Sequence, residues 1–79
     1  MRHEIGNQII FLLNDNSLRV SEYESLVSSG LLSSLQIVEL AVWLEEKYHV
    51  RFSENGFNVY DFESVATISE MINRMQKPG

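Results

Sequence analysis

Leu32-Ser33-Ser34-Leu35-Gln36-Ile37-Val38-Glu39-Leu40-Ala41-Val42-Trp43-Leu44-Glu45-Glu46-Lys47-Tyr48 is the stretch whose reading decides the fold. Its first residues carry three helix-start signals at once. Ser33 is an N-cap residue with Gln36 three positions on, the spacing at which the two side chains satisfy each other's backbone N–H groups. Leu32 and Ile37 flank that pair at the spacing of a hydrophobic staple. The signals agree on Ser33 as the cap, so a helix over 34–48 begins with Ser34 at its first position. On a wheel of 100° per residue, Ile37, Leu40, Ala41, Leu44 and Tyr48 converge on one side, which is the core face. Leu35, Val38 and Val42 fall on a second apolar facet nearly opposite, flanked by Glu39, Glu45 and Glu46. A helix in a thin bundle cannot easily bury both faces. The second facet is therefore either an exposed docking strip, apolar with a carboxylate rim, or a surface partly covered by the long loop that precedes the helix. Trp43 lies between the core and solvent sides and reads as a packing residue.

Working outward, residues 4–13 repeat Ile5, Ile9, Leu12 and Leu13 at helical spacing, and Asn14-Asp15-Asn16-Ser17 breaks the pattern. Residues 17–33 form a connection longer than most in compact domains. Leu18, Val20, Tyr23, Leu26 and Val27 are expected to pin it to the core, and Gly30 marks a turn near its end. On the other side, His49 to Phe52 reads as a short extended link and 53–56 as a turn. Residues 57–62 read as a short helix or an ordered loop. Ser64 can cap a last helix over 65–76, with Val65, Ile68, Met71, Ile72 and Met75 on one side. The expectation is an all-α bundle of three longer helices plus one short one, with no strand.

A length of 79 residues allows one domain, 1–79, with 76–79 as a frayed tail holding the only proline, Pro78. There is no cysteine, which excludes disulfides, thiolate metal sites and a cysteine nucleophile. A secreted domain this small usually carries disulfides, so the cytoplasm is the expected compartment. The longest apolar run, Ile9–Leu13, is too short to span a bilayer, and the first residues do not read as a signal peptide. The formal charge of −5 argues against a nucleic-acid partner. Acid concentrates in the second half, at Glu39, Glu45, Glu46, Glu54, Asp61, Glu63 and Glu70, where it either steers basic partners or simply solvates helices, and composition alone favours solvation. His3 and His49 have no ligand-like neighbours at metal spacing, and no nucleophile–base arrangement is legible. A phosphodiester on Ser34 would be tolerated at the positive end of the helix dipole, although a Ser-Ser pair before a helix is by itself unexceptional.

Gly30-Leu31-Leu32-Ser33-Ser34-Leu35-Gln36-Ile37-Val38-Glu39-Leu40 resembles the phosphopantetheine attachment motif of acyl and peptidyl carrier proteins, roughly G-x-D-S-L-x-x-V-E-L. Glu45-Glu46 and Asp61-Phe62-Glu63-Ser64-Val65-Ala66-Thr67-Ile68 extend the resemblance, the latter to the F-x-S-[VI]-x-x-[IL] entry of the family's last helix. Length, charge and helix order agree, so nearly the whole chain is covered. The resemblance implies that Ser34 is esterified to 4′-phosphopantetheine by a phosphopantetheinyl transferase. The arm's thiol would then carry an acyl group as a thioester in fatty-acid, polyketide or other specialised biosynthesis. It implies docking roles for Leu35, Val38, Glu39, Val42 and Glu46 toward loading ligases and downstream synthases or transferases. The expected protein is a monomeric carrier and not itself an enzyme. Two alternatives stay open. The G-L-L-x-S string is also common in aminoacyl and peptidyl carriers. Ser33 stands where the family has aspartate, so a degenerate, unmodified helical interaction module is the other. Gln36, where the family often has an acid, and Trp43, where a small residue is common, are further departures.

Overall fold

The computed structural model describes residues 1–15, 17–52 and 58–76. The expected turn over 53–56, Phe57 of the 57–62 segment, Asn16 of the helix-breaking run and residues 77–79 of the tail lie outside them. Among the described residues three α-helices follow in order: α1 (Arg2–Leu13), α2 (Ser34–Tyr48) and α3 (Val65–Gln76). There is no strand among the described residues. The anticipated short fourth helix is only a 3₁₀ turn, Val59–Phe62, started by the Asn58 side chain accepting from the Tyr60 N–H at 3.0 Å.

α1 begins at Arg2, two residues before the start read from apolar periodicity, because the Met1 carbonyl already accepts from the Ile5 N–H at 3.1 Å. It ends where Asn14 turns left-handed, φ 54°, and donates its N–H back to the Phe11 carbonyl; a short polar side chain tolerates that conformation. α2 ends at His49, also left-handed at φ 56°, so the link after it does not begin extended. That link is an anchor: Val50 and Phe52 are buried, and Phe52 packs on Phe62 with ring centres 5.7 Å apart. α3 is opened by a reciprocal pair. Ser64 Oγ accepts from the Thr67 N–H at 3.1 Å, and Thr67 Oγ1 accepts from the Ser64 N–H at 3.0 Å.

α1 packs against both α2 and α3. The core takes Ile5 and Ile9 from α1, Ile37, Leu40, Ala41 and Leu44 from α2, and Val65, Ile68, Met71 and Ile72 from α3. Tyr48 sits at its edge, half-buried and edge-on to Trp43. Lys47 crosses to Glu4 of α1 at 2.9 Å and lies over the Trp43 ring. The pairing pulls the Glu4 carboxyl below its ordinary range and pushes the Lys47 ammonium up.

The long connection, 14–33, is held down by Leu26, which is fully buried, with Leu18, Val20 and Val27 half-buried. Tyr23 departs from expectation. It is 75% exposed, because a tight turn, Glu24 N–H to Ser21 carbonyl, carries it outward where its phenol can stay hydrated. Glu63 supplies the missing attachment. Its Oε1 accepts from the backbone N–H groups of Leu26, Val27 and Ser28 at 3.1, 2.9 and 3.1 Å and from Ser25 Oγ at 2.9 Å, and its Oε2 accepts from Ser28 Oγ. The Glu63 carbonyl takes the Leu26 N–H a second time, at 2.7 Å. These donors, Ser28 foremost, hold the Glu63 carboxyl down at about 2, against an ordinary 4.5.

Two outcomes follow from this packing. Leu44→Ala should cost ~2–5 kcal/mol in urea denaturation, as burying and then deleting a core leucine does, whereas Leu35→Ala on the exposed side of the same helix should stay within ~0.5 kcal/mol. Because the folded Glu63 value is depressed, its contribution is complete above pH 4.5 and is lost as pH falls through that value toward about 2. The stability gap between the native chain and Glu63→Gln should therefore close as pH falls from about 5 to about 2.5; a gap that stays constant would show that the carboxylate charge does not hold the loop.

Candidate functional site

The start of α2 is built by its neighbours. Gly30 takes φ 77°, a left-handed turn that glycine adopts without a Cβ penalty, and its N–H closes on the Val27 carbonyl. Leu32 then folds back, burying its side chain and donating its N–H to the Leu26 carbonyl at 3.0 Å. Ser33 follows as the cap, with both halves of the capping box made: Gln36 N–H to Ser33 Oγ at 3.2 Å and Ser33 N–H to Gln36 Oε1 at 2.8 Å. Gln36 also reaches across with its Nε2 to the Leu12 carbonyl at 3.3 Å. The cap side chain is thereby tied to the end of α1.

Ser34 is left over by this arrangement. It is exposed at the first position of α2, and its hydroxyl has no hydrogen-bond partner among the described residues. The first-turn N–H groups divide in two. Gln36 is taken by Ser33 Oγ and Ile37 by the Ser33 carbonyl, while those of Ser34 and Leu35 have no acceptor among the described residues. No acidic residue occupies the first turn. Free N–H groups, the positive end of the helix dipole and the lack of local negative charge together favour an anionic substituent here.

Leu35, Val38 and Val42 are 69%, 54% and 49% exposed, so the 14–33 connection does not cover them. They form one strip that starts beside Ser34 and runs about 10 Å along the helix. Glu39 and Glu46 stand exposed beside it. Glu45, read from the wheel as part of the same rim, is engaged elsewhere: it is half-buried, and its Oε2 accepts the Phe52 N–H at 2.9 Å, fixing the link after α2. The six expected site residues, Ser34, Leu35, Val38, Glu39, Val42 and Glu46, thus share the exposed side of one helix. No metal-binding cluster occurs among the described residues, and His3 Nε2 is hydrogen-bonded to Asn7 Nδ2 at 3.2 Å.

Glu63 was not distinguished by sequence reasoning from the other acids of the second half. The only signal toward it is the serine-rich 25–29 run, whose hydroxyls and N–H groups suit a single anion.

The two serines should separate cleanly. Ser33→Ala should lower stability by ~1 kcal/mol through loss of the cap, and Ser34→Ala should change it by less than ~0.5 kcal/mol, both read from urea midpoints at neutral pH. Comparison with family models, with curated proteins and with solved structures found no match to this chain.

Proposed function

We propose that the chain is an acyl carrier protein: a non-enzymatic, monomeric, cytoplasmic protein in which Ser34 bears 4′-phosphopantetheine. The observation that carries this reading is the exposed, unpartnered Ser34 hydroxyl at the first position of α2, on the residue that the attachment-motif resemblance selects. The prosthetic group fits the residues present. A phosphodiester on Ser34 meets the free N–H groups of Ser34 and Leu35 and no acidic side chain in the first turn. The arm, when bound, supplies a thiol that can hold an acyl group as a thioester, chemistry that a chain without cysteine cannot offer itself.

The protein's own contribution is presentation. Ser33 and Gln36 fix the first turn, and Gln36 braces it against α1. In this reading Leu35, Val38 and Val42 give partner enzymes an apolar contact, while Glu39 and Glu46 orient them by charge. Those partners are a phosphopantetheinyl transferase, a loading ligase and downstream synthases or transferases. The neutral cap favours a second reading, because Ser33 satisfies the helix start without the negative charge of the family's aspartate: an unmodified helical interaction module. The G-L-L-x-S string keeps an aminoacyl or peptidyl cargo beside an acyl one.

Intact-mass measurement after co-expression with a promiscuous phosphopantetheinyl transferase tests the assignment. The carrier reading expects one phosphopantetheine adduct, absent from Ser34→Ala; no adduct, or one that survives that substitution, overturns it. Ser33→Asp should speed loading if the missing charge matters to the transferase.

A further inference from the structure

We infer that a groove between α1 and the 18–22 segment is a binding site for a small aliphatic carboxylate. The groove has a volume of about 640 Å³, within the range of small-molecule sites. One wall is a face of α1 made by His3, Gly6, Asn7 and Ile10; the other is Leu18, Arg19 and Val20, with Val65 at the start of α3 also lining it. Ser34 does not line it, and the inference does not rest on the carrier reading.

The walls are braced. The Leu18 N–H closes on the Asp15 carbonyl at 3.1 Å, and the Glu22 carbonyl accepts the Ala66 N–H at 2.9 Å. Arg2 of α1 pairs across with Glu22, which raises the guanidinium's pKa further and leaves that end of the groove electrically neutral. A preformed groove spares a ligand the ordering cost that a mobile one would impose.

Gly6 indicates that the space is kept open. It lies in the interior of α1, where glycine is less favourable than alanine in a helix. Its backbone does not need glycine, having no left-handed φ, and a Cβ built there meets nothing within 4 Å. Packing therefore gives no reason for glycine at this position, and its effect is a recess in the groove wall.

Charge and polarity define the occupant. The chain is acidic overall, at −5. Yet Arg19 lines this groove with no carboxylate at ion-pair distance among the described residues. Ile10, Leu18 and Val20 are half-buried beside it and offer an apolar bed. One uncompensated guanidinium beside such a bed complements a single anionic head on a short hydrocarbon chain.

The test is an amide-resolved NMR titration of the unmodified full chain with sodium octanoate, kept below micelle formation, against octylammonium and octanol. Saturable shifts should centre on Gly6, Asn7, Ile10, Arg19 and Val20 with octanoate alone. Arg19→Gln should weaken octanoate by about tenfold, in line with loss of a charge-assisted contact. Gly6→Ala should raise the melting temperature while weakening octanoate severalfold, a combination that general destabilisation cannot produce. The inference is overturned by shifts that do not saturate, by shifts centred on Leu35, Val38 and Val42, by equal binding of octylammonium or octanol, or by a stabilised Gly6→Ala that binds octanoate unchanged.

Discussion

One carboxylate organises the least regular part of this protein. Glu63 faces three consecutive backbone N–H groups and two serine hydroxyls of the 25–28 segment, a concave set of donors suited to an anion. A connection of this length would otherwise leave those donors to water and its path undetermined. With them gathered on one side chain, Leu26 is seated in the core, the Gly30 turn is placed, and Leu32 returns to the Leu26 carbonyl just before the cap of α2. The position of Ser34 is thus inherited from a residue on the far side of α2 in the chain.

α2 then divides its labour by face. Ile37, Leu40, Ala41 and Leu44 close the core against α1 and α3. Leu35, Val38 and Val42 are spent on solvent, which no folding requirement explains, and the exposed acids Glu39 and Glu46 keep that strip hydrated. Gln36 belongs to both faces. Its side chain completes the capping box and also holds the Leu12 carbonyl, so the exposed first turn does not swing relative to the packed body.

The helices were legible because their signals are local. The Ser33–Gln36 box, the wheel of α2 and the Ser64 cap each depend on residues within a turn of one another, and α2 and α3 have the bounds those signals give. Tyr23, Glu45 and Glu63 were misplaced or missed for the opposite reason. An aromatic ring in a loop is apolar by composition whether or not a turn carries it outward. A glutamate, whether on a helix like Glu45 or between elements like Glu63, looks solvated until a distant or returning backbone N–H claims it. The 3₁₀ turn at Val59–Phe62 lies between these cases, since Asn58 caps it locally but it is too short for periodicity to register. Of the site, the Ser33 cap and Ser34 as the first helical residue were legible from the capping signals, and the wheel grouped Leu35, Val38 and Val42 on one facet; that the connection leaves this facet exposed required the three-dimensional contacts.

The bonds that join the loop to α3 have a kinetic meaning. Ser25 to Glu63 spans 38 residues, and the Glu22 carbonyl meets the Ala66 N–H across a comparable stretch. Neither contact can form until Glu63 and Ala66 have themselves been made, because synthesis runs from the N-terminal side. On a chain emerging from the ribosome, α1 and α2 are therefore made first, while the segment that orients the first turn of α2 waits for Glu63 and Ala66. Ser34 becomes a defined position only once residues 63–66 have been made, so anything that acts on it by shape meets the folded helices and not a nascent one.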